Sequence, residues 1–450
     1  MPSELQRSFT AIDFFHGKER DMEKCFTAKN GIKIYGYKNP ALHGFFISLF
    51  LRGGSMYEDE GECGITHFLE HILVRNVSKL YDMKLYSILD RHGIEFNAST
   101  YAEMVQFYLS GEKSAFGEAA AAAVKLLSPI RLTRAEIDSE RRRIKAEIRE
   151  NDDKNSMSSV AMGEIYKDTT LKNPITGTNR TVDRISARRL EEYRKKVFTR
   201  DNVFFYVTGN YDDDQLMRLV SEIGNAELSE PCEPRHENIA PIPGDFGARG
   251  GRVFVKNGDY TMVRFNFDLD MARLSSPLVD LIYDNLFAGY NSPFFIKMSE
   301  EEGLFYDISG STERYRNIGT LYFSFEVKER DIYEAVERSV ALLNSFKDAL
   351  LSEDDCMKAG YTRNAPLLFD DAREMNFTLA YDSHIMRLSY ETIEARRAEY
   401  ERITPEDIRQ GARVIFTPEN LVLTVKGNKK KIDAARLSDI CAALSATKEK

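Results

Sequence analysis

Phe198-Thr199-Arg200-Asp201-Asn202-Val203-Phe204-Phe205-Tyr206-Val207-Thr208-Gly209-Asn210 returns in the second half of the chain as Phe416-Thr417-Pro418-Glu419-Asn420-Leu421-Val422-Leu423-Thr424-Val425-Lys426-Gly427-Asn428, in register from end to end. Phe, Thr, Asn, Val, Gly and Asn recur at matching places. Each block reads as a turn, a strand of apolar and β-branched residues, then Gly-Asn before a helix. A second echo pairs His92-Gly93-Ile94-Glu95-Phe96 with Glu302-Gly303-Leu304-Phe305-Tyr306, each leading into a strand, at 105–110 and 320–327. Two echoes in the same order, with matched element types, predict two homologous domains; a period this long is no solenoid.

Within each copy, strands at 44–51 and 262–269 alternate with helices at 115–127 and 333–351. Long helices after hairpin-like strand pairs predict an α+β fold: two homologous domains, each a mainly antiparallel sheet with helices packed over one face. The expected division is 1–224, a linker at 225–251 carrying Pro231, Pro234, Pro241, Pro243, Gly244, Gly247, Gly250 and Gly251 with few apolar residues, and 252–450.

Bulk properties narrow the class. The 450 residues are 42% hydrophobic and 30% charged, ordinary for a soluble globular chain. A net charge of −9 argues against general nucleic-acid binding. No apolar run approaches the ~18 residues of a membrane span. Residues 1–24 are polar and charged with no apolar core of a secretory signal, and Glu4, Asp13, Glu19, Asp21 and Glu23 are unlike a transit peptide. The five cysteines, at 25, 63, 232, 356 and 441, are scattered and odd in number, which suits reduced thiols. The expected compartment is the cytoplasm.

The chemistry is carried by His67-Phe68-Leu69-Glu70-His71. On a helix, positions four apart share a face, so His67 and His71 can grip one metal ion. Two neutral imidazoles with one anionic ligand suit Zn²⁺, and a fourth position open to water makes such a site catalytic. The arrangement H-x-x-E-H is a zinc peptidase signature. Ile65, Phe68, Leu69, Ile72 and Leu73 mark the helix as buried, and buried His and Glu need partners. The third ligand is expected on another helix. The strongest downstream signal is 133–151: Thr133-Arg134-Ala135-Glu136 reads as a capping box, and Ile137, Ile144 and Ile148 form an apolar stripe. Its Glu140 and Glu147 are seven apart and share a face. Cys63, four residues before His67, reads as a small buried thiol more readily than as a ligand.

His67-x-x-Glu70-His71, with Glu140 and Glu147 at their spacing downstream, together resemble the pitrilysin-type zinc peptidases, and most closely the short bacterial-type members related to the mitochondrial processing peptidase. The resemblance implies that His67, His71 and Glu147 bind one Zn²⁺ per chain, that Glu70 is the general base, and that Glu140 is an auxiliary acid. It extends to Asn97-Ala98-Ser99-Thr100, which matches an edge-strand motif on which substrate backbone docks. It implies a zinc endopeptidase for unfolded peptides or leader peptides, working in a chamber closed by a second half of the same fold.

The second copy departs from this. Leu281, Asp284 and Asn285 stand roughly where His67, Glu70 and His71 do, and a Leu cannot bind zinc. The family pattern also places an Arg seven residues before the Tyr of Gly-Leu-x-Tyr. Here Gly303-Leu304-Phe305-Tyr306 is present, but the position seven residues earlier is Ser299, followed by Glu300-Glu301-Glu302. Arg314 or Arg316 has the wrong spacing and suits a solvated role. The chain therefore resembles the metal-bearing member of a heterodimer whose sister subunit supplies the Arg/Tyr pair, with a homodimer as the alternative. Tyr306 is the remaining substrate-binding candidate. The acidic stretch hints at a basic substrate or is simply a solvated helix end. A non-catalytic structural or peptide-binding subunit is the rival reading; no nucleic acid or membrane partner is expected.

Overall fold

A computed structural model describes residues 23–59, 61–151, 156–167, 169–226, 252–258, 260–288, 291–315, 318–352, 360–361, 370–386 and 393–444. The expected linker beyond Ala226, Arg316, Cys232, Cys356 and residues 1–22 lie outside the described residues.

The first half runs β1 (Lys24–Thr27), β2 (Lys33–Lys38), β3 (Gly44–Arg52), α1 (Ile65–Leu80), α2 (Leu85–His92), β4 (Glu95–Thr100), β5 (Met104–Glu112), α3 (Phe116–Lys125), α4 (Arg134–Asn151), α5 (Met157–Ile165), α6 (Asn179–Arg184), α7 (Ala187–Val197), β6 (Val203–Gly209) and α8 (Asp213–Gly224). The second runs β7 (Arg252–Asn257), β8 (Met262–Asp270), α9 (Ser276–Phe287), a π-helical segment (Phe295–Glu301), β9 (Ile308–Arg314), β10 (Ile318–Glu326), α10 (Ile332–Asp348), α11 (Ala372–Ala380), α12 (Ile393–Arg402), α13 (Pro405–Ile415), β11 (Leu421–Gly427) and α14 (Ala434–Ala442).

The strand orders establish the duplication. The first sheet is β1-β2-β6-β3-β5-β4 and the second is β7-β11-β8-β10-β9. Apart from the added β1, each strand has its counterpart. Each sheet has one parallel contact, β2 with β6 and β7 with β11, among antiparallel neighbours. The fold is thus α+β with two homologous, mainly antiparallel sheets, as expected.

Strict alternation sorts each sheet's faces. Phe45, Ile47, Leu49 and Leu51 of β3 join Val105, Phe107, Leu109, Val203, Phe205 and Val207 in one core beneath α1, α3 and α8. In the second half, Phe265, Phe267, Leu321, Phe323, Leu421 and Leu423 do the same beneath α9, α10 and α13.

The opposite faces hold a feature that the sequence did not reveal. Each half lends a helix to the other half's sheet. From the first half, α5 and the turn after it place Ala161, Ile165 and Tyr166 on Ile318 and Val422 of the second sheet. The Tyr166 hydroxyl lies 2.9 Å from the Gly319 carbonyl oxygen and 2.8 Å from Thr320 Oγ1. From the second half, α11 places Met375, Leu379 and Ala380 on Phe50, Met104, Phe204 and Tyr206 of the first sheet. Asn376, fully buried, donates from Nδ2 to the Tyr206 carbonyl at 2.9 Å and accepts from Ser48 Oγ at 2.7 Å. Burial of each large apolar side chain is worth about 1.5–3 kcal/mol, so these reciprocal contacts bind the halves firmly.

Candidate metal centre

Packing, not intrinsic propensity, holds α1 in place. Ile65, Phe68, Leu69, Ile72, Leu73 and Val77 are all buried, and that face fixes the opposite one, where His67 and His71 lie one turn apart. Their rings approach to 4.7 Å between centroids at 72°. The start of the helix is built with care. Gly64 sits at φ +90°, and a Cβ there would meet Gly177 Cα at 2.7 Å, so both backbone conformation and space demand glycine. Glu58 then caps the helix: its carboxylate accepts from Gly64 N–H at 2.8 Å and Thr66 N–H at 2.9 Å. Burial pushes the Glu58 carboxyl up to about 8, with these two N–H groups holding it back.

The opposing helix α4 starts as the sequence predicts. Thr133 Oγ1 accepts from Glu136 N–H at 3.3 Å, and Glu136 Oε2 accepts from Thr133 N–H at 2.7 Å. Ile137, Ile144 and Ile148 are buried. Arg141 locks α4 to its neighbours, donating to the Val182 and Ile185 carbonyls and lying over the Phe68 ring.

This places Glu147 between the two imidazoles. Its Oε1 is 3.6 Å from His67 Nε2 and its Oε2 is 3.5 Å from His71 Nε2. Ligand atoms of His67, His71 and Glu147 all lie within 4.8 Å of one another, the one such cluster among the described residues. Ligands on a tetrahedral zinc with bonds of ~2.0–2.1 Å are about 3.4 Å apart, so this donor set fits zinc after slight tightening. Glu140 lies behind it, its Oε2 3.5 Å from His71 Nδ1. That is where a carboxylate orients a ligating imidazole. Glu70 Oε2 accepts from Thr100 Oγ1 at 2.6 Å, tying the helix to β4.

The electrostatics follow from this geometry. Burial and neighbouring His71 push His67 down to about 4. Burial also opposes charge on His71, but the Glu140 and Glu147 carboxylates outweigh it and raise His71 to about 9. Burial raises Glu70, against the Thr100 hydroxyl. His71 holds Glu147 below the usual carboxylate range. The pattern is of carboxylates gathered round one cationic position.

Asn97, Ala98 and Ser99 lie on β4, the edge strand of the first sheet among the described residues. Tyr306 is 94% exposed and lies on the second half, and Ser299 donates to its carbonyl at 3.1 Å. Leu281 and Asn285 are buried, and Asp284 accepts from Tyr361. Arg314 departs from the solvated role expected of it: its Nη1 is 2.9 Å from Asp280 Oδ1, beside the half-buried Arg396–Asp382 pair. Two carboxylates of the acidic stretch are paired within the chain, Glu301 with Lys297 at 2.8 Å and Glu302 with Arg338 at 3.3 Å. Cys63 is buried and its Sγ lies 3.4 Å from the Pro174 carbonyl oxygen. The sequence reading missed Glu58 and the Thr100–Glu70 bond. The signal for Glu58 was a carboxylate shortly before a glycine that opens a helix.

Comparison with known proteins points to one family. Family models described as "Insulinase (Peptidase family M16)" and "Peptidase M16 inactive domain" match residues 38–179 and 184–359. An uncharacterized zinc protease of Rickettsia bellii is 26% identical over 306 residues, 66% of this chain and 72% of that protein. One from Mycobacterium bovis is 21% identical over 427 residues, 90% of this chain and 94% of that protein. Among solved structures, the periplasmic protease PqqL of Escherichia coli superposes with a TM-score of 0.76 at 16% identity, covering 96% of this chain and 51% of that one. No described helix is long and apolar enough to cross a membrane. With both halves of the chain matched by models of one family and its relatives named zinc proteases, the protein belongs to peptidase family M16, the insulinase family.

Proposed function

We propose that the chain is a zinc-dependent endopeptidase for unfolded peptides, leader peptides among them. The observation that carries this is the convergence of His67, His71 and Glu147 from two helices, with Glu70 beside them and an edge strand within reach of Glu70. Zinc, when bound, would acidify a water molecule and polarise the scissile carbonyl. The chain's own residues divide the remaining tasks. Glu70 is the general base: Thr100 engages its Oε2, leaving Oε1 to take a proton from the attacking water and return it to the leaving amine. Glu140 is a positioning residue that holds His71 through Nδ1. Asn97, Ala98 and Ser99 offer backbone N–H and C=O groups to an extended substrate, which would add as a further strand.

Assembly belongs to the same reading. The chain lacks a basic residue at Ser299, and Arg314 is held by Asp280, so the Arg of an Arg/Tyr pair comes from a sister subunit in a heterodimer. Tyr306 is exposed enough to reach a substrate. PqqL, whose chain is about twice as long, supports the idea that two such units act together.

The test is direct. Glu70→Gln should retain about one zinc per chain by metal analysis and lose turnover of a quenched peptide. Normal turnover by that variant removes Glu70 from the mechanism. Mixing the chain with its sister should raise activity; full activity of the lone homodimer removes the heterodimer.

A further inference from the structure

Beside the metal centre lies a cavity of about 320 Å³, between α1, α2, α4 and β4. His71 and Glu70 close its inner end, and Phe96, Asn97 and Ala98 of the edge strand form one wall. Two guanidiniums face it, Arg75 and Arg143. Arg75 continues the stripe of His67 and His71 one turn further along α1, about 6 Å beyond His71. Glu140 lies between the two arginines, 4.0 Å from Arg75 Nε and 3.9 Å from Arg143 Nη1. Both separations exceed a hydrogen bond, and Arg75 Nε is buried with no hydrogen-bond partner. Glu140 is also engaged by His71 Nδ1 at 3.5 Å. One carboxylate thus serves an imidazole and two guanidiniums, and Glu70, the other carboxylate on the lining, is held by Thr100. The carboxylates on the lining are thus already engaged and Arg75 Nε has no hydrogen-bond partner, against apolar walls from Val74 and Phe96 that suit a methylene stem.

We infer that this cavity is a specificity subsite for an acidic substrate residue adjacent to the scissile bond, its carboxylate taken by Arg75 with Arg143. The inference rests on the peptidase reading above.

The test uses peptides identical except for Glu, Gln or Lys placed at each position flanking the cleaved bond. Turnover is measured with the zinc-loaded chain mixed with its sister subunit, and binding with the zinc-loaded Glu70→Gln chain in the same mixture by fluorescence anisotropy. At one flanking position, Glu should be favoured over its Gln isostere by about ten-fold or more, the scale of a hydrogen bond to a charged partner. Arg75→Gln should cut that ratio to within about three-fold, and Arg75→Glu should turn the preference toward Lys. Arg143→Gln, at a mostly exposed position, should cut it by less. Equal handling of Glu and Gln at every position overturns the inference and leaves the peptidase reading standing. No cleavage and no binding of any peptide in the set overturns the peptidase reading itself.

Discussion

In the first half, the helix that follows β3 and packs on the edge strand β4 presents His67, Glu70 and His71 to the carboxylates of α4. In the second half, α9 follows β8 and packs on the edge strand β9, and presents Asp280 and Asp284 instead. There the cation is internal. Arg314, from β9, pairs with Asp280, Tyr400 donates to Asp280 Oδ2 at 2.8 Å, and Arg396 pairs with Asp382. The two places share strands, helix and packing, and they differ in where positive charge comes from. One is neutralised by guanidiniums of the same chain. The other gathers two imidazoles and a carboxylate into a set that fits a divalent ion. The scaffold is therefore common to both halves, and the donor set is what differs.

The comparison breaks most sharply at its ligands. His71→Ala should lower zinc affinity by more than about 10²-fold, since loss of an outer-shell partner alone costs up to that much, and turnover should fall with the metal content. Zinc retained at one per chain would mean that the two halves do not differ as described. On the other side, Asp280→Ala removes the charge partner of the half-buried Arg314, which keeps only the Ser276 carbonyl at 3.1 Å, and should destabilise the chain by less than the about 3–5 kcal/mol of a fully buried pair while leaving zinc content untouched. Replacing the pair together, as Asp280→Leu with Arg314→Met, should cost less than the single change, because no unpaired charge is left. Denaturant midpoints and metal analysis on the same preparations read both arms.

The smallest effect concerns the helix start. Glu58→Ala leaves the Gly64 and Thr66 N–H groups without their acceptor and should cost about 1–3 kcal/mol. Its pH signature has a definite sign. The folded Glu58 carboxyl sits at about 8, above its ordinary value of 4.5, so the folded chain keeps a proton that the unfolded chain releases. This group's contribution to stability is full below about pH 4.5 and declines as pH rises through about 8. The Glu58→Ala variant should show a flatter stability profile over that window, and an equally steep one would contradict the burial assigned to this carboxyl.

Much of this was legible in the chain. The echo of Phe198–Asn210 in Phe416–Asn428 announced two sheets of one plan, and His67, Glu70 and His71 marked a candidate centre because helix periodicity maps spacing onto faces, while Glu140 and Glu147 were singled out by the family resemblance. What stayed hidden depends on contacts with no periodic signature. Glu58 acts through two backbone N–H groups, which no side-chain pattern reports. Arg314 and Asp280 are charged, and charged residues read as solvated until the fold brings a partner from another element to them. Neither α5 nor α11 was singled out in the sequence, and even a recognised helix does not state which sheet it will cover.

That last feature has a consequence for how the molecule can be divided. A polypeptide ending after β6 and α8 would expose the strip over Phe50 and Phe204 that α11 covers, and its counterpart would expose the strip over Ile318 and Val422. Cleaving one peptide bond between the halves would therefore yield a nicked protein that stays together, each fragment clasping the other. Such mutual lending is the geometry expected of two like molecules that traded helices before a single gene joined them.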